Sequence, residues 1–192
     1  IDTAGVAFTG STEVAREINR ALAAKNGPIV PLIAETGGQN AMIVDSSALP
    51  EQVVDDVVLS AFGSAGQRCS ALRVLCLQAE VADKVIRMLH GAMKEINIGD
   101  PSALASDFGP VIDDEAHGVL AQHRQGLSGF GKLVYAVPVS GALEKQGHYF
   151  GPCAYEIPNI KSLTKEVFGP ILHVVRYEKD DLDDLLDDIQ AT

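Results

Sequence analysis

Val6-Ala7-Phe8-Thr9-Gly10-Ser11 reads as a short buried strand running into a tight turn, and the succession of elements after that turn sets the fold class. Ser11 is a good N-cap, and Val14, Ile18, Ala21 and Leu22 recur on one helical stripe that lasts to about Ala24. Asn26-Gly27-Pro28 stops the helix. Ile29 to Ala34 is a second apolar run, strand-like despite Pro31; Thr36-Gly37-Gly38 breaks it, and Ala41 to Val44 is a third. Strand, helix and strand in this rhythm predict an α/β layout with a largely parallel sheet.

Further along the chain, Val53, Val54, Val57, Val58 and Ala61 predict an amphipathic helix over roughly 50–65, ended by Gly63 to Gly66. Arg73 to Leu77 reads as strand, a helix is expected from about Ala82 to Ile96, and another near 113–126. Leu133 to Tyr135, Phe150 to Ile157 and Ile171 to Val175 read as further strands. The last segment, from Glu178, is dense in Asp and Glu but carries Leu182, Leu185, Leu186 and Ile189 on one stripe, the pattern of a solvated helix with one buried face.

The 192 residues are 46% hydrophobic and 21% charged, enough for a packed core and unlike a disordered chain. A net charge of −11 repels phosphate backbones and argues against a nucleic-acid partner. No apolar run reaches the roughly 18 residues that span a bilayer, and no basic-then-apolar leader opens the sequence. Three cysteines, none in a C-x-x-C pair, predict neither a disulfide framework nor a metal site, and suit a reducing, cytoplasmic compartment. Beginning at Ile1 and stopping just after an acidic helix, the sequence reads as part of something longer.

Cys69 is the residue with the most chemical promise. It follows Gly66-Gln67-Arg68, precedes Ser70-Ala71-Leu72-Arg73, and falls between a helix and a strand. A thiol beside cations is a usable nucleophile, although the same window suits a small buried hydrophobe. Cys76 and Cys153 sit in apolar strand-like runs. His90, His117, His123, His148 and His173 lie in no motif, and each reads as a surface or core histidine. Glu35, at the end of an apolar run and before two glycines, is a candidate base if its surroundings are partly apolar. Gly10-Ser11, at a strand-to-helix turn, could accept a phosphate on helix N–H groups, and Glu166 to Pro170 is a turn holding one acid and one ring. Each of these has an equally simple structural explanation when taken alone.

Taken in order, the segments say more. Phe8 to Thr12, Glu35 to Asn40, Gly66 to Cys69, Gly99-Asp100-Pro101, Gly109 to Ile112 and Glu166 to Pro170 resemble the aldehyde dehydrogenase superfamily along nearly the whole chain. Arg68-Cys69-Ser70-Ala71 and the stretch from Glu166 to Tyr177 are most similar to the glutamate-semialdehyde (1-pyrroline-5-carboxylate) dehydrogenase type, in the version fused to a bacterial proline dehydrogenase. Thr36 and Ala15 stand where many relatives carry Leu and Gly.

The resemblance implies a three-layer, mostly parallel catalytic domain over residues 37–192, incomplete at its C-terminus, preceded by a remnant of a Rossmann-like NAD-binding domain over residues 1–36. It implies Cys69 as nucleophile and Glu35 as the base that activates water. Ser70 would bind a substrate carboxylate. Gly10 and Ser11 would lie near the NAD pyrophosphate, Val14 against a cofactor ring, Glu166 on the nicotinamide-side ribose, and Phe168 nearby. FAD would belong only to the proline dehydrogenase part of a bifunctional parent. The partners implied are a small aldehyde and the rest of a parent enzyme that forms homo-oligomers, with this piece inactive by itself. A dehydrogenase for another aldehyde, a non-catalytic domain that keeps only the fold, and a cofactor-free cysteine hydrolase are the competing readings.

Overall fold

Val6–Gly10 forms strand β1, Thr12–Ala24 helix α1, and Leu32–Thr36 strand β2, which runs parallel to β1 with Val6 opposite Leu32 and Thr9 opposite Glu35. Two parallel neighbours need a crossover, and α1 supplies it. The Ser11 side chain accepts from Val14 N at 3.2 Å, capping α1 as the sequence predicts. β2 begins at Leu32 rather than Ile29, because Pro31 has no N–H to give a ladder; its carbonyl instead accepts from Val6 N at 3.0 Å. No residue of the predicted stripe is fully buried: Ile18 and Leu22 are half-buried, Val14 and Ala21 are exposed, and the buried residue of α1 is Ala15, outside the stripe. Two strands and one helix offer too little apolar surface to cover it.

The computed structural model describes residues 3–192. The chain divides into two compact units, the first ending at Gly38 and the second spanning Gln39–Thr192.

The second unit contains β3 (Ala41–Val44), α2 (Pro50–Phe62), β4 (Val74–Gln78), α3 (Ala79–Lys94), α4 (Asp114–Leu127), β5 (Lys132–Ala136), β6 (Cys153–Glu156), β7 (Ile171–Tyr177) and α5 (Leu182–Gln190). Its sheet runs β3-β4-β7-β6-β5, parallel throughout except that β5 is antiparallel to β6. β4 and β7 lie at the centre. Val74, Leu75, Cys76 and Leu77 have no exposed surface, which explains their unbroken apolar run: a parallel strand covered on both faces has no polar face to alternate with. Val53, Val54, Val57 and Ala61 on α2, and Ala82, Val85, Leu89 and Met93 on α3, join this core.

Some boundaries differ from expectation. α3 starts directly after β4, three residues before Ala82, and ends at Lys94. β6 starts at Cys153 rather than Phe150, because Pro152 cannot donate; its carbonyl accepts from Val137 N at 2.8 Å. A Cβ at Gly151 would fall 1.9 Å from the Val137 carbonyl oxygen, so the backbones approach too closely there for a side chain. In α5, Leu185 alone of the predicted stripe is buried. No described helix is long and apolar enough to cross a membrane.

Candidate active site

Because β3, β4 and β7 are parallel, the segments entering them arrive at the same edge of the sheet. Asn40 precedes β3, Cys69 and Arg73 precede β4, and Glu166 and Phe168 precede β7. Residues far apart in sequence thereby gather at the amino ends of three neighbouring strands.

The Cys69 loop is held from inside the protein. After α2, a single 3₁₀ turn (Gly63–Gly66) places Ser64 (φ 56°), Ala65 (φ 52°) and Gly66 (φ 64°) in the left-handed region. Non-glycine residues there cost about 1–2 kcal/mol each, so the surroundings must hold the turn. Gly66 has no alternative: a Cβ would lie 2.3 Å from the Gly169 carbonyl oxygen. The Gln67 side-chain oxygen accepts from Ile112 N at 2.8 Å. Asn40 Nδ2 donates to the carbonyls of Cys69 (2.7 Å) and Ala71 (2.9 Å), while its own carbonyl accepts from the N–H groups of Arg73 and Val74. The Cys69 backbone is thus fixed while its side chain stays exposed, and its N–H donates to no group among the described residues.

The other two thiols differ sharply. Cys76 and Cys153 are buried in β4 and β6, and burial pushes their thiols up to about 11 and about 12. Both therefore strongly favour the protonated thiol at neutral pH.

The arginines flanking Cys69 do not serve it as expected. Arg68 Nη2 donates to the Leu59 carbonyl at 3.0 Å. Arg73 is 1% exposed and points into the protein, where Nε and Nη2 donate to Glu166 Oε1 at 3.0 and 2.9 Å. Its Nη1 reaches the carbonyls of Gly66 (2.7 Å) and Gly169 (3.0 Å), and Nη2 that of Arg68 (3.2 Å). Burial pushes the guanidinium below its ordinary value, and the Glu166 carboxylate pulls it back up. Phe168 is 46% exposed, its ring centroid 5.1 Å from the Arg73 guanidinium carbon. Ser70 is exposed beside Cys69.

Glu35, Gly10, Ser11 and Val14 belong to the first unit. β1 and β2 are parallel, so Gly10 and Glu35 share the carboxyl end of that pair, where open α/β sheets place their ligands. Glu35 is exposed, not enclosed by apolar groups as its sequence context suggests, because this small unit has no apolar wall to put beside it. Val14, one turn into α1, is 42% exposed.

Three participants were not legible as such in the sequence: Asn40, Arg73 as a brace, and a pair of histidines. His123 on α4 and His173 on β7 meet at 2.8 Å, Nε2 to Nε2, and His173 Nδ1 lies 2.9 Å from the Arg73 carbonyl. A polar ring within an apolar strand was the available signal, since a buried ring nitrogen must find a partner.

A family model described as "Aldehyde dehydrogenase family" matches residues 2–189. The bifunctional protein PutA of Klebsiella aerogenes is 52% identical over 195 residues, which cover 98% of this chain and 15% of that protein. The chain therefore spans less than a sixth of the length of the first curated relatives it matches. A crystal structure of a proline utilization A (PutA) variant from Bradyrhizobium japonicum superposes with a TM-score of 0.94 at 57% identity, covering 98% of this chain and 19% of that one. The 1-pyrroline-5-carboxylate dehydrogenase from Thermus, solved with bound NAD, superposes with a TM-score of 0.85 at 28% identity, covering 96% of this chain and 36% of that one.

Proposed function

The chain belongs to the aldehyde dehydrogenase family, and from that premise we propose that it is the nucleophile-bearing part of an NAD-dependent dehydrogenase that oxidises glutamate semialdehyde to glutamate. The observation that carries this reading is the contrast among three thiols: Cys69 is exposed on a braced loop, and the other two are buried.

In this mechanism the Cys69 sulfur attacks the aldehyde carbon and forms a thiohemiacetal. The free Cys69 N–H stabilises the oxyanion as it develops. NAD, when bound, supplies the acceptor for the hydride that leaves this carbon, and a thioester remains on Cys69. Glu35 takes a proton from water; the hydroxide equivalent adds to the thioester carbonyl, the sulfur departs, and the carboxylic acid is released. Exposed Ser70 suits a hydrogen bond to the substrate's own carboxylate.

The residues present fit a dinucleotide. The N-terminus of α1 lies at the carboxyl end of β1 and β2, a favourable place for a pyrophosphate. Gly10 keeps that turn free of a Cβ, which would fall 2.5 Å from the Phe8 ring. Val14 offers an exposed apolar surface, and Glu166 and Phe168 offer a carboxylate and a ring. In the same reading residues 1–36 are the end of the NAD-binding domain and 37–192 the incomplete catalytic domain. The parent is a cytoplasmic homo-oligomer, with FAD confined to its proline dehydrogenase part.

The test uses the full-length protein containing this chain. With glutamate semialdehyde and NAD it should form reduced nicotinamide, and Cys69→Ala should abolish this. No product from wild type, or activity in Cys69→Ala within about tenfold of wild type, overturns the reading.

A further inference from the structure

We propose that Arg73 is the positioning residue of this site: one buried guanidinium ties the Cys69 loop to the Glu166 loop and turns Glu166 so that Oε2 is the oxygen offered to a ribose hydroxyl. This rests on the reading of the chain as part of an NAD-dependent aldehyde dehydrogenase.

The geometry is specific. Both Arg73 bonds to the carboxylate land on Oε1, so the fork does not take one oxygen with each arm. Oε2 accepts nothing from the described residues and is not among the buried unpartnered atoms, which leaves it open to solvent. The same guanidinium holds Gly66 and Arg68 on one side and, 96 residues along the chain from Arg73, Gly169 on the other. Gly66 O closes the left-handed turn that leads to Cys69, so one side chain sets both the nucleophile loop and the ribose-side carboxylate.

Arg73 is itself immobilised. Its N–H donates to Asn40 O at 3.0 Å, and its carbonyl accepts from His173 N at 2.9 Å and faces His173 Nδ1 at 2.9 Å. A buried ion pair adds little net stability compared with well-packed apolar residues of the same volume. What a planar five-donor fork supplies is orientation, and the point charge of lysine cannot reproduce it.

The experiment uses the full-length enzyme and measures NAD binding by titration calorimetry, without turnover, beside KM and kcat. If wild type neither binds NAD nor oxidises glutamate semialdehyde, the assignment of function fails, whatever Arg73 does. If wild type does both, Arg73→Lys is expected to weaken NAD binding by about tenfold or more while KM for the aldehyde changes less than about threefold. Arg73→Lys and Glu166→Gln should not add: the double variant should bind NAD within about twofold of the weaker single. Additive losses, or wild-type NAD affinity in Arg73→Lys, overturn the proposal. If Arg73→Lys does not fold, Glu166→Gln decides. With the fork intact, its amide oxygen takes the Oε1 place and its NH₂ the Oε2 place, so its NAD affinity should fall to that of Glu166→Ala. Wild-type affinity in Glu166→Gln overturns the proposal.

Discussion

His123 and His173 share a single hydrogen bond, 2.8 Å from Nε2 to Nε2, and the chain around them fixes both tautomers. A carbonyl oxygen only accepts, so the proton on His173 sits on Nδ1, facing Arg73 O. His173 Nε2 is then the acceptor, and His123 donates from Nε2. In this arrangement the His173 ring is neutral. Burial pushes His173 down to about 4, against the hydrogen bond to the Arg73 carbonyl, which favours the charged ring, and with smaller help from the charges of His123 and Arg73; burial together with Lys165 lowers His123. The folded chain therefore binds fewer protons than the unfolded chain between about pH 6.5 and 4, and stability rises with pH across that window. The contribution is complete above about pH 6.5 and is lost as pH falls towards 4. From pH 7 to pH 5 the loss from His173 should be about 2 kcal/mol. Denaturant titrations at both values check it, with His173→Gln expected to lose less on acidification than wild type. An equal loss in the variant would place the pH dependence elsewhere.

Gly66→Ala should damage stability and activity together. Its Cβ would meet Gly169 O at 2.3 Å and Gly169 C at 2.4 Å, both backbone atoms that cannot swing aside, at a φ of +64°. Left-handed strain and overpacking together should cost about 2–5 kcal/mol. Thermal melting and the aldehyde assay measure the two effects, and a melting temperature unchanged from wild type would contradict the close approach of the two loops.

Asn40→Asp replaces the donor that holds Cys69 O and Ala71 O with an acceptor facing acceptors. Losing two such bonds next to the nucleophile should lower kcat by about tenfold or more, with little change in NAD affinity. Pre-steady-state measurement of the hydride step checks this; an unaltered rate would mean that the loop holds its shape without Asn40.

The central sheet was legible because β4 and β7, buried on both faces, are mainly apolar runs rather than alternating ones. Strand starts were less so, where Pro31 before β2 and Pro152 before β6 shift the first hydrogen-bonded residue along the chain. Cys69 was legible by residue type and local motif. The role of Arg73 was hidden for a physical reason: sequence proximity assigns its charge to the thiol four residues away, whereas its partner Glu166 is 93 residues distant. The histidine pair, 50 residues apart, is the same kind of long-range contact, invisible to any window that reads one element at a time.

Ser70→Ala should separate substrates. Ser70 is exposed beside Cys69, and removing its hydroxyl leaves the backbone of the loop untouched, because no described hydrogen bond uses that oxygen. If the hydroxyl binds the substrate carboxylate, one hydrogen bond to a charged group is lost, worth about 1.5–3 kcal/mol, or about 10- to 150-fold in KM for glutamate semialdehyde. An uncharged aliphatic aldehyde of similar length should be affected far less, and kcat for either should change little. Steady-state kinetics of both substrates in the full-length enzyme make the comparison. An equal rise for both would make Ser70 a loop residue with no part in substrate choice, and would shift the search for the carboxylate anchor to another segment.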